Sequence, residues 1–383
     1  MERRNALTRH VLAIADIIKT QLAGDDTQPS QNAQTHGDPN KQEDYGPKTA
    51  AMPDSTVYPS SEMKDLIDVG SLPDHLKTEA WEMLNCHQQA FGFDGRLGHI
   101  PMKAHICTMD GQVPIAVPMY GSSLEKCKVM DEQIDKWFEQ EVIEPSISPW
   151  SMPVVITYRN GKPRFCIDYH KLNAVTIPDE FPIPRQSEIL SSLSGTQVLS
   201  SLDALSGFTQ LKLDLDNVKK TAFRTHRGLF QFRRMPFGLR NGPSIFQRVM
   251  QGILALYLWI FCLVYIDDIM IYLKSYEEHI THLDKVLTAI EKAGITLSPT
   301  KCHLFYGSIL LLGHKVSCLG LSTHKEKVRA IIELERPRKL SQLQTFLGMV
   351  VYFSTFIPYY ASICAPLFHL LCKGCKWKWG AEE

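Results

Sequence analysis

Two adjacent aspartates, Asp267 and Asp268, stand between the apolar runs Leu263–Ile266 and Ile269–Leu273. Short aliphatic runs of this kind are the mark of strands covered on both faces. The segment therefore reads as a hairpin with two carboxylates at its tip. Like charges held in a buried turn are costly unless a cation neutralises them. An Asp-Asp pair at an exposed hairpin needs no cation, and that plainer reading suits polar flanks rather than these. The apolar run Ile253–Ile266 that leads into the pair has fourteen residues. A membrane helix needs roughly twenty, so the run reads as a buried helix entering a strand.

The surrounding pattern alternates strands and helices. Leu76, Ala80, Met83 and Leu84 share one helical face. A second helix starts after Ser122-Ser123, with Glu125 in its first turn and Met130, Ile134, Trp137 and Phe138 on one side. Val154–Tyr158 and Arg164–Ile167 form a hairpin across Asn160-Gly161. Val198–Leu202 is a strand ending at Asp203, and Leu229–Phe232 another; a helix is expected from about Pro243 to Trp259. Ile280, Leu283, Leu287 and Ile290 repeat at helical spacing up to Gly294. Beyond Leu321 the pattern turns mostly helical.

Of the 383 residues, 44% are apolar, enough to bury a core. Forty-one basic residues balance forty-one acidic ones, which excludes a wholly cationic binder but not a local basic groove. The ten cysteines are scattered and read as reduced intracellular thiols; Cys372 and Cys375 have no second pair to complete a zinc site. Residues 1–20 read as a short amphipathic helix rather than a secretion signal, because Asp16 interrupts the apolar stretch. Residues 21–61 are nearly devoid of aliphatic side chains and read as a disordered linker.

Three aspartates, Asp203, Asp267 and Asp268, are the candidate chemical centre. Hard Mg²⁺ is the natural neutraliser, since it binds through one or two carboxylates plus substrate phosphates. Between the carboxylate strands lie Lys219, Lys220, Arg224, Arg227, Arg233, Arg234, Arg240 and Arg248, with no acidic residue among them. Phe223, Phe230, Phe232, Phe237 and Phe246 are interleaved. Such a stretch is either a solvated face or a surface for nucleotide and template-primer.

Eight motifs then occur in order: Glu144-Pro-Ser-Ile-Ser-Pro-Trp150, Arg164-Phe-Cys-Ile-Asp-Tyr-His-Lys-Leu-Asn173, Leu202-Asp-Ala-Leu-Ser-Gly-Phe208, Thr221-Ala-Phe-Arg224, Met235-Pro-Phe-Gly-Leu-Arg-Asn-Gly-Pro243, Tyr265-Ile-Asp-Asp268, Leu312-Gly-His314 and Phe346-Leu-Gly348. On these residues the chain resembles the reverse transcriptases of gypsy-type long-terminal-repeat retrotransposons. The resemblance implies an α+β right-hand polymerase of fingers, palm and thumb with an antiparallel palm sheet. It implies a helical lead-in at 62–142, fingers and palm at 143–318, thumb or connection at 319–376, and a stub of the ribonuclease H junction at 377–383.

The resemblance also implies roles. Asp203, the Ala204 carbonyl, Asp267 and Asp268 would hold two Mg²⁺ ions, with Mn²⁺ as a substitute. Arg164, Phe208 and Phe237 would bind the deoxynucleoside triphosphate; Gln247, Tyr265, Leu312, Gly313 and His314 would meet primer and template. Phe208, five residues after Asp203, would wall off a 2′-hydroxyl. The activity implied is RNA-directed DNA polymerisation on an RNA or DNA template with a primer. The expected setting is intracellular, cytoplasmic or nuclear, and away from membranes. Leu205 and Thr209 stand where the family commonly has Arg and His, and the chain ends where its ribonuclease H domain begins. A second reading follows: an inactive retroelement remnant that only binds nucleic acid.

Overall fold

The structure is a computed structural model that describes residues 63–159, 161–193, 195–312, 314–317, 320–323, 336–351, 354, 357 and 359–372. The expected N-terminal helix, linker and junction stub lie outside the described residues, as does Gly313.

The chain enters through β1 (Asp68–Val69), α1 (Asp74–Cys86) and β2 (Ile100–Ala104). Helix α2 (Leu124–Glu139) starts where the sequence signals it, with the Ser123 hydroxyl accepting from the Lys126 amide. Next come β3 (Ile143–Pro145) and the hairpin β4 (Met152–Arg159) and β5 (Lys162–Ile167). Then follow β6 (Val198–Asp203), β7 (Leu211–Leu213), β8 (Phe223–Thr225), β9 (Gly228–Phe232), α3 (Gly242–Ile253), β10 (Cys262–Tyr265) and β11 (Asp268–Leu273). Helix α4 (Tyr276–Lys292) ends before Gly294, whose φ of 73° suits glycine. Further along come β12 (His303–Tyr306), β13 (Ser308–Leu311), β14 (His314–Ser317), β15 (Gly320–Thr323), α5 (Leu340–Val351) and α6 (Tyr360–His369).

These residues form two compact units. The larger contains two five-stranded sheets. One has the order β3-β9-β8-β4-β5, and α2 drives Trp137 into it, 1% exposed. The Trp137 ring meets Phe165 at 4.7 Å and Phe232 at 5.3 Å, both edge-on. The other has the order β1-β12-β6-β11-β10 and is mostly antiparallel, with α4 against it. Strands β13-β14-β15 form a three-stranded sheet. In the smaller unit, Leu343 and Leu347 of α5 pack with Cys364 and Leu367 of α6.

Helix α3 is shorter than its apolar pattern suggests. It ends at Ile253, and Leu256, Trp259 and Ile260 stay exposed in turns while Leu254 and Phe261 face inward. Trp259 takes a left-handed φ of 64°, which no continuing helix allows.

Buried His87, just past α1, is clamped by α4: Nδ1 lies 2.9 Å from Glu291 and Nε2 2.9 Å from Asp284. Burial pushes its pKa down, but the two carboxylates outweigh burial and raise it. A raised folded pKa stabilises below the ordinary value and loses that contribution as the pH climbs through the raised one. Charge-assisted bonds of this type contribute about 1.5–3 kcal/mol, and the half-exposed Asp284 reduces the share here. Wild type is expected to lose melting temperature as the pH rises above 6.5, and His87→Gln to flatten that slope; parallel curves for the two would refute the clamp.

Candidate active site

The pleat of the palm-like sheet places the aspartates. Strand β6 pairs antiparallel with β11, and Asp203 is the direct cross-strand partner of Asp268. Directly opposed residues have Cβ atoms about 4.5–5.5 Å apart on one face. Strand β10 closes the hairpin with Tyr265 opposite Asp268, leaving Ile266 and Asp267 as the two turn residues. The tip is thus one residue earlier than the apolar pattern suggests, and Asp268 opens a strand. Ile266 adopts φ 55°, a left-handed conformation costly for a β-branched side chain. Asp267 is 9% exposed, and its carbonyl accepts from the Ala204 amide at 3.3 Å. Asp203, Ala204, Asp267 and Asp268, distant in sequence, are therefore contiguous.

Gly207 sits against this cluster. A Cβ there would lie 2.7 Å from Asp267 Oδ1 and 2.8 Å from Phe246 Cζ, closer than real contacts allow. Glycine lets the backbone approach the carboxylate. Gly207→Ala is expected to push Asp267 aside and lower primer extension about 100-fold, with primer-template affinity kept. A rate within twofold of wild type, in about the same assay error, would show that the close approach is dispensable.

Asp203 is held from a second side. Its carbonyl accepts from the Ser298 amide at 2.9 Å, and the Lys301 ammonium stands 3.6 Å from Asp203 Oδ1. Sequence reasoning missed Lys301, because a lysine in an irregular turn carries no periodic signal. Among the described residues no three His, Cys, Asp or Glu side chains close around one point. The oxygen donors nevertheless suit Mg²⁺, which takes one or two carboxylates and completes its shell from substrate phosphates and water.

Phe208 follows Gly207 and is 8% exposed. Its ring lies 5.0 Å from Phe237 and 5.6 Å from Phe246, and a Gly242 Cβ would touch it at 3.6 Å. The ring is thus wedged among Phe237, Phe246 and Gly242. Tyr265 accepts a bond from Gln186 Nε2 to its hydroxyl at 3.3 Å. Gln247 is fully buried: its Nε2 donates to the Val264 carbonyl at 3.0 Å, and its Oε1 accepts from the Ile266 amide at 2.6 Å. Both ends of the amide are thus engaged with main-chain groups of the hairpin. Arg164 stands half-buried on β5 of the other sheet, opposite Thr157. Leu312 (φ 50°) and buried His314 belong to the smaller unit.

Most cations of the basic stretch lie on the surface, but Arg234 and Lys220 are drawn inward and others are paired. Arg234 donates to the carbonyls of Gly98 and Thr209 at 2.9 and 3.1 Å, and burial lowers its pKa. Lys220 donates to the Ile106 carbonyl at 2.6 Å. Arg227 pairs with Asp135 at 2.6 Å; Arg248 pairs with Asp179 and lies over the Phe181 ring. Phe223, Phe230, Phe232 and Phe246 are core residues. The cations tie loops and carboxylates far away in sequence, which a count of neighbouring charges cannot reveal. Lys219, Arg224, Arg227, Arg233, Arg240 and Arg248 are exposed.

Residues 156–329 match the family profile described as reverse transcriptase (RNA-dependent DNA polymerase). Among curated proteins it is similar to the retrovirus-related Pol polyprotein from transposon opus of Drosophila melanogaster, 37% identical over 275 residues. That match covers 70% of this chain and 27% of the relative. It is 31% identical over 322 residues to the Pol polyprotein from transposon gypsy of the same fly, covering 82% of this chain and 31% of that one. The enzymatic polyprotein of Cauliflower mosaic virus (strain CM-1841) is 35% identical over 292 residues, covering 74% and 42%. The chain thus spans less than half the length of these relatives.

Among solved structures, the foamy viral protease-reverse transcriptase in complex with RNA/DNA hybrid superposes with a TM-score of 0.73 at 22% identity, covering 88% of this chain and 46% of that one. A form with double-stranded DNA gives a TM-score of 0.76 at 23% identity, covering 88% and 60%. The fold is that of a reverse transcriptase. Among the described residues no helix is long and apolar enough to cross a membrane.

Proposed function

We propose that the chain is an RNA-directed DNA polymerase core that extends a primer 3′ end with deoxynucleotides on an RNA or DNA template. The observation that carries the reading is the cross-strand pairing of Asp203 with Asp268 beside the Asp267 turn. Two Mg²⁺ ions, held by Asp203, the Ala204 carbonyl, Asp267 and Asp268, would supply charge neutralisation and a more acidic 3′-hydroxyl. The protein's own part is positioning, which dominates phosphoryl transfer. Arg164 offers a guanidinium fork to the triphosphate. Phe208 places a rigid ring under the sugar, supported by Phe237 and Phe246. Tyr265, Leu312, Gly313 and His314 are assigned to the primer end.

Fingers and palm are assigned to 143–318 and the thumb to 319–376, in an intracellular protein. Leu205 and Thr209, two of the departures from the family pattern, are buried. The test is primer extension with Mg²⁺ on matched RNA and DNA templates. Extension on both supports the reading; salt-sensitive primer-template binding without extension would make the chain a binding remnant.

A further inference from the structure

We propose that Gln247 is a positioning residue that sets the Asp267 carboxylate by holding the hairpin turn in its strained form. The assignment rests on the reading of Asp267 as a metal ligand. Among the described residues strand β10 is the outer strand of its sheet; Cys262 is bonded to Tyr257 and Trp259 on that side, while Val264 and Ile266 have no neighbouring strand there. The Gln247 amide acts as that missing strand: Nε2 donates to the Val264 carbonyl and Oε1 accepts from the Ile266 amide.

The second of these bonds falls on the residue with φ 55°, immediately before Asp267. A left-handed isoleucine persists only where its surroundings over-determine it. The preceding residue, Phe246, fixes the same helix on its other side, since its ring abuts Gly207 and packs edge-on against Phe208. One turn of α3 therefore registers the carboxylate turn against the loop that follows Asp203. Nothing in a polar residue on an apolar helix announces this; it emerges only from the partners of its amide.

The test uses the whole chain and two readouts, Mn²⁺ affinity by electron paramagnetic resonance and single-turnover extension. Gln247→Met keeps the volume but leaves both main-chain groups unanswered. It is expected to weaken Asp267-dependent Mn²⁺ binding and lower kcat by about 10–100-fold, with primer-template Kd unchanged. Adding Ile266→Gly, which adopts the turn without strain, should recover most of both losses. Gln247→Glu, when protonated, reproduces the acceptor and the donor. Its Mn²⁺ affinity should match wild type at the acid end and fall as the pH rises and the buried carboxyl ionises, whereas wild type shows no such loss.

Equal Mn²⁺ affinity in wild type and Gln247→Met would overturn the assignment. So would a loss that Ile266→Gly fails to recover. If Gln247→Met does not fold, the Gln247→Glu profile decides, and one parallel to wild type refutes the role. Wild type that binds Mn²⁺ through Asp267 yet extends no primer would remove the polymerase reading and leave the role of Gln247 standing.

Discussion

Asp267→Asn is expected to reduce primer extension by about 10³-fold, because a bound metal supplies several kcal/mol of charge stabilisation and each 1.4 kcal/mol is tenfold in rate. The substitution is nearly isosteric and removes only the charge. The hairpin and the Ala204 amide bond to the Asp267 carbonyl do not need that charge. Salt-sensitive primer-template binding should therefore persist, measured by fluorescence anisotropy across a salt series. Loss of extension together with binding would mean that Asp267 supports the fold instead. Retained extension would remove it from the chemistry.

Phe208→Val is expected to raise ribonucleotide incorporation relative to deoxynucleotide by about 10–100-fold, the range a missing steric contact in a pocket yields. The ring is held by Phe237 at 5.0 Å and Phe246 at 5.6 Å, so it does not swing away from a 2′-hydroxyl. Removing ring atoms leaves space on the sugar side while the Phe237–Phe246 backing remains. The readout is the ratio of kcat/KM for a ribonucleotide and its deoxynucleotide on one template. An unchanged ratio would make Phe208 a packing residue of the short helix Gly207–Gln210.

Much of this arrangement was legible in the residues. Short apolar runs located β6, β10 and β11, and the structure pairs Asp203 with Asp268 beside the Asp267 turn as the motif order led one to expect. The Ser123 cap and the Trp137 face located α2. Three features were not legible, each for a physical reason. The hairpin tip fell on Ile266–Asp267 because a left-handed isoleucine defies local preference and depends on a distant amide. The helix expected to Trp259 stopped at Ile253, since an unbroken apolar run does not distinguish a buried helix from a folded turn. The basic stretch is largely a surface, but the partners of its cations, Asp135, Asp179 and the Gly98 carbonyl, lie far off in sequence and could not be read there.

Lys301 and Gly207 share that lesson. Both act on the aspartates through space, one by charge at 3.6 Å and the other by lacking a side chain. A motif search finds the ligands of a site; the groups that let three carboxylates coexist are found from coordinates.

The most direct test is a crystal structure of the chain with a primer lacking its 3′-hydroxyl, template, a matching deoxynucleoside triphosphate and Mg²⁺. The prediction is that oxygens of Asp203 and Asp267 both ligate one ion at about 2.0–2.1 Å, with triphosphate oxygens completing its shell. Aspartates 203 and 267 turned to different ions, or to none while the triphosphate is bound elsewhere, would contradict it.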